Sequence, residues 1–110
     1  MSGKKFDADY PLLEAMYADD YYPIECVDKV AERIGAVIAY LEQGGHSKRE
    51  IQAKLDEMTI GINELEEDFE ENDSEIETVA RDCIGTTVEY ILRYFDIDID
   101  IEEAIRERDW

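Results

Sequence analysis

From Val27 to Tyr94 the apolar residues return at steps of three and four in three successive stretches, each separated from the next by residues that stop a helix. A side chain recurring every three or four positions stays on one face of an α-helix, whereas a half-buried strand needs strict alternation. Val27, Val30, Ala31, Ile34, Val37, Ile38 and Leu41 form the first stripe. Gly44-Gly45 ends it, since glycine enters the left-handed conformation that closes helices without steric cost. Ser47 with Glu50 three residues on makes a capping box, and Ile51, Leu55, Met58, Ile62, Leu65 and Phe69 carry the second stripe. Ser74 with Glu77 repeats that signal ahead of Ile76, Val79, Ala80, Cys83, Thr87, Ile91 and Tyr94. The spacing predicts long helices from about Pro23 to Glu42, Lys48 to Glu71 and Ser74 to Tyr94.

Weaker signals flank these three. Pro11 followed by Leu12, Leu13, Met16 and Tyr17 predicts a helix of about two turns. The run Asp96-Ile97-Asp98-Ile99-Asp100-Ile101 alternates like a strand but has no second strand to pair with, so it reads as a loop. Asp100 and Glu103 then start a short helix reaching about Arg108. The chain therefore reads as all-α: a compact bundle of four to five helices, three of them long and amphipathic, forming a single acidic helical domain over residues 1–110. Residues 1–9 lie outside every stripe and are left open to disorder.

Charge narrows the function. Thirty acids against eleven bases give a net charge of −19, which repels phosphate backbones and anionic membrane surfaces. Direct nucleic-acid binding and membrane contact are not expected. No apolar run approaches the roughly 20 residues of a membrane span, and Met1 to Lys5 leads into Phe6-Asp7-Ala8-Asp9 rather than an apolar signal core, so a cytoplasmic location is expected.

The acids are also unevenly spread. Between Leu55 and Ala80 there is no base, and from Glu64 to Glu77 no two neighbouring positions lack an acid. Glu64 with Asp68, Glu66 with Glu70 and Glu67 with Glu71 are like-charge pairs four apart, each costing a few tenths of a kcal/mol. They crowd a helix C-terminus, where the macrodipole disfavours negative charge. Such a run reads as a solvated face compensated by Arg33, Arg81 or Arg93, or as a surface kept acidic for a basic protein partner. On the second reading Glu64, Glu67, Asp68 and Glu71 are the partner-binding residues, and the protein is a non-enzymatic binding module of immunity or inhibitor type.

A different class of function, a small enzyme or small-ligand binder, would use Tyr17, Asp19, Tyr21 and Tyr22 in the segment ending at Pro23. Aromatics beside carboxylates in an irregular stretch can form a binding surface, but they can equally dock the first helix onto the bundle. Other chemistry lacks its parts. A carboxylate di-iron site needs Glu-x-x-His pairs, and the chain has only His46, beside two glycines. Asp96, Asp98, Asp100 and Glu107 fall at calcium-loop positions, yet Ile101 occupies the place of the obligatory glycine. Cys26 and Cys83 sit singly in apolar patterns and read as reduced core residues. No catalytic residue, metal or cofactor is expected, and the oligomeric state is not legible.

The segments Met16-Tyr17-x-Asp19-x-Tyr21-Tyr22-Pro23, Val27-Asp28-Lys29, Phe69-Glu70-Glu71-x-x-Ser74-Glu75-Ile76-Glu77-Thr78 and Arg108-Asp109-Trp110 resemble an uncharacterised family of small acidic bacterial proteins, the domain of unknown function DUF5713. The resemblance spans most of the chain, apart from the Gly44–Ser47 segment and the Asp-Ile repeat. It implies a bacterial cytoplasmic protein and brings no catalytic residue.

Overall fold

A computed structural model of the protein describes residues 4–110. Five helices follow in order: α1 Glu14–Tyr17, α2 Ile24–Gln43, α3 Lys48–Glu71, α4 Thr78–Tyr94 and α5 Ile101–Ala104. No strand forms among the described residues, and the Asp-Ile repeat is a loop. α2 and α3 are the closest pair, and the four residues joining them turn one back along the other. α1 lies against α4 and α2, while α5 lies against α4 and α3, so the two short helices close the bundle from opposite sides.

The start of α3 follows directly from its sequence. Glu50 N donates to Ser47 Oγ (3.1 Å), and Ser47 N donates to the Glu50 carboxylate (2.7 Å), which satisfies two amides that a helix start leaves without partners. These bonds hold the Glu50 carboxyl below its ordinary value. The far ends of α3 and α4 close with aspartates instead of glycines. Asp73 (φ 58°) and Asp96 (φ 57°) take the left-handed conformation, and the next residue donates back to the helix: Ser74 N to Phe69 O and Ile97 N to Leu92 O, both 2.8 Å. This is the Schellman arrangement, with an aspartate tolerated where glycine is commoner.

Three expectations need correction. The Ser74/Glu77 capping box does not form. Ser74 is spent in the turn that ends α3 and is buried, Glu77 is the α4 N-cap without a side-chain bond, and the helix begins at Thr78. Next, the short helices are shorter than expected: α1 is one turn and not two, and α5 ends at Ala104 and not at about Arg108. Leu13 adopts φ 57°, which a right-handed helix cannot contain, and in exchange its side chain is 1% exposed in the core. Finally, the buried face of α4 is Ala80, Ile84, Thr87, Val88, Ile91 and Leu92, rotated away from Val79, Cys83 and Tyr94. Tertiary contact with α1 and α5, which sequence periodicity does not encode, selects that face.

The buried residues join in one cluster that includes Met16, Val27, Ile34, Leu55, Ile62, Phe69, Ile84 and Ile91. Of residues 1–9, the first three lie outside the described residues. Phe6 packs on Tyr94 (5.2 Å between ring centroids) and its amide donates to Glu42 (2.8 Å), while Tyr90 Oη donates to Asp7 (2.9 Å). The last residues are tied to α3: Arg106 bridges Asp56 through Nε (3.1 Å) and Nη2 (2.8 Å), and Asn63 donates to Glu107 O (2.8 Å) and accepts from Asp109 N (3.1 Å).

Candidate functional site

Glu64, Glu67 and Glu71 project from α3 into solvent, as residues off the Ile62, Leu65 and Phe69 stripe must. Asp68 differs from them. It is half-buried and paired with Lys29 of α2 at 2.9 Å, an interaction that holds the lysine above its ordinary value. Lys29 was not among the cations that the sequence suggested as compensation. The three that were take other positions: Arg33 lies over Gly61, Arg81 donates to Thr78 (3.2 Å), and Arg93 pairs with Glu89 (3.7 Å). Glu64, Glu67 and Glu71 are therefore left without a basic partner among the described residues.

What lies beside this acidic end is backbone dipole. Cys26, in the first turn of α2, donates through Sγ to Asp68 O (3.7 Å), and Asn72 Nδ2 donates to the same carbonyl (2.8 Å). Tyr22 Oη accepts from Ala80 N (3.2 Å) in the first turn of α4. The N-termini of α2 and α4 are thus gathered at the C-terminus of α3. Their positive ends offset part of the penalty that carboxylates suffer at the end of α3, at about 0.3–1 kcal/mol per group.

The Tyr17–Pro23 segment meets the acids here. Tyr22 is 3% exposed, packs edge-on against Phe69 (6.4 Å) and supplies the missing cap of α4, so it is a structural residue. Asp19 is engaged in a turn, accepting from Tyr21 N (2.9 Å). Tyr17 Oη donates to Asp28 (2.5 Å); desolvation, then that bond, push its phenol up to about 12. Tyr21 stays 40% exposed, and its phenol is raised first by desolvation and then by the carboxylates of Glu75 and Glu77. Ile24, 62% exposed, follows immediately. The two groups of residues that the sequence offered as alternatives therefore share one end of the bundle, with Tyr21 and Ile24 as its apolar elements.

Outside this end, His46 is half-buried, stacked on Tyr40 (3.7 Å between centroids) and bonded to Gln43 (3.2 Å). Asp100 caps α5 by accepting from Glu102 N (3.0 Å), and Asp98 faces Lys48 (3.7 Å). Among the described residues no group of three or more His, Cys, Asp and Glu is arranged to hold a metal, and no helix is long and apolar enough to cross a membrane.

Within the acidic run of α3, Glu66 pairs with Asp109 of the C-terminal segment. Desolvation, then a hydrogen bond to Asp109 and repulsion from Asp109 and Glu70, push Glu66 up to about 7. A carboxyl raised above its ordinary 4.5 binds a proton in the folded state that the unfolded chain has lost. Its contribution is thus complete below about pH 4.5 and is lost as pH rises through about 7. Glu66→Gln keeps the donor and removes the charge. Urea unfolding should find the variant equal to the parent at about pH 4.5 and more stable at pH 8 by about 1 kcal/mol, after discounting for solvent screening. Equal stabilities at both pH values would show the pair to be fully solvated.

No curated protein and no solved structure gives a significant match to the chain. A family model does match, from Phe6 through the tyrosine segment and the acidic end of α3 to Trp110, and so includes every residue of the candidate surface. The chain belongs to the family of unknown function DUF5713, whose model covers residues 6–110.

Proposed function

We propose that this protein is a non-enzymatic binding module of the cytoplasm that engages a basic protein through the end of the bundle carrying Glu64, Glu67, Glu71, Tyr21 and Ile24. The observation that carries this reading is the exposed Tyr21 set beside Glu75 and Glu77, which have no basic partner among the described residues, with the exposed Ile24 three residues further on. Protein interfaces commonly combine a small apolar or aromatic centre with a charged rim that steers association. The solvated-face reading accounts for the acids but not for Ile24 at the same end. Asp68 leaves the set of contact residues, because Lys29 already occupies it. The enzyme or ligand-binder reading loses support, because Tyr22 and Asp19 are engaged in holding the chain and Tyr17 is bonded to Asp28.

Photocrosslinking in cells tests this directly. A crosslinker replacing Tyr21 or Glu67 should capture the same protein, one of basic isoelectric point, and one replacing Thr86 on α4 should not. Capture of nothing from Tyr21 and Glu67, or of the same mixture from all three positions, would remove the proposal.

A further inference from the structure

Both bases of α2, Lys29 and Arg33, and the last base of α3, Lys54, converge on one groove between these helices. The groove has a volume of about 530 Å³. Ala36, Val37, Met58 and Leu65 form its apolar wall, and Glu32, Glu57 and Asp68 complete the lining. Three bases against three acids make this groove formally neutral on a chain of net charge −19. Two of the bases are answered: Lys29 by Asp68 at 2.9 Å and Lys54 by Glu57 at 3.3 Å. Arg33 is not, having neither an ion pair nor a side-chain hydrogen bond among the described residues.

Arg33 nevertheless lies against α3. A Cβ added to Gly61 would lie 3.0 Å from Arg33 Cδ, 3.1 Å from Nε and 3.2 Å from Cζ, so the arginine rests against the bare backbone of α3. A glycine inside a helix costs about 1 kcal/mol relative to alanine, and Gly61 gives the guanidinium its space. The planar fork matches the paired oxygens of a carboxylate or phosphate. We propose that the α2–α3 groove binds a small organic oxyanion, a carboxylate or phosphate monoester on an apolar body, with Arg33 as the fork and Val37, Met58 and Leu65 as the wall. Lys29 and Lys54, each paired with an acid of the groove, leave Arg33 as its one unpaired base among the described residues. This site does not rest on the acidic partner surface and stands or falls separately from it.

The probes are 3-phenylpropionate and phenyl phosphate, with 3-phenylpropanol as the uncharged control, titrated into the full chain and followed by NMR. The anions should give saturable shifts at Val37, Met58, Leu65 and the Arg33 side chain, and the alcohol should give none. Arg33→Gln, at an exposed position, should fold normally and weaken anion binding at least about tenfold, as loss of a charge-assisted hydrogen bond implies. Gly61→Ala, whose Cβ makes the arginine give way by a few tenths of an ångström, should weaken it less than Arg33→Gln does, and Lys48→Gln should change nothing. The stronger of the two anions identifies the ligand class. The proposal is overturned if neither anion saturates by about 10 mM, if shifts fall outside the groove, or if Arg33→Gln binds as the parent does.

Discussion

Tyr22→Ala is expected to destabilise the protein by about 3–5 kcal/mol, the range for deleting a buried aromatic side chain. Two losses combine. The ring leaves a cavity against Phe69, and Ala80 N in the first turn of α4 loses the oxygen it donates to. Against a total of about 5–15 kcal/mol, this shifts the urea midpoint well below that of the parent. Tyr22→Phe isolates the second loss and should cost about 1–2 kcal/mol, while Tyr21→Ala, at an exposed ring, should stay within about 0.5 kcal/mol. If Tyr22→Ala unfolds with the parent, the tyrosine is not holding α4, and the ligand-binding role of this segment becomes the better account.

Replacing Glu64, Glu67 and Glu71 together by Gln should slow association with the partner captured through Tyr21 by at least about tenfold at low salt, with the difference shrinking toward physiological ionic strength. The folded state should hold or gain up to about 1 kcal/mol, since like charges three and four apart disappear. The gain stays small because the N-termini of α2 and α4 already offset some of the repulsion. Asp68 is left intact, because removing it would strip Lys29 of its partner and mix a structural effect into the kinetics. Stopped-flow association at two salt concentrations separates the outcomes. Rates equal to the parent at low salt would make the acidic end a solvated surface only.

Much of the fold was legible in the sequence because local rules act alone at those positions. The Ser47–Glu50 box begins α3 at Lys48, where backbone amides needed partners and the nearest side chains could supply them. The α2 and α3 stripes each keep a single period, so Val27 to Leu41, with Ala31 half-buried, and Ile51 to Phe69 are buried as spaced. At Ser74 the same four-residue signal failed, since its amide closes α3 on Phe69 O and its hydroxyl is buried without a partner among the described residues, three residues before the α4 N-cap Glu77. A local pattern cannot say which of two helices a residue will serve.

Sequence by itself determined the helical class, the limits of α2 and α3, the acidic run and the exposure of Glu64, Glu67 and Glu71. Only the tertiary structure decided that Lys29 takes Asp68, that Tyr22 caps α4 across 58 residues of chain, and that Arg33 lies on Gly61 without an ion pair among the described residues. It also set Tyr21 beside Glu75 and Glu77 and gathered two helix N-termini around the end of α3. The physical reason is range. Capping and periodicity act within one helical turn, whereas ion pairs and dipoles depend on which elements meet, and that is fixed by burial of a shared core.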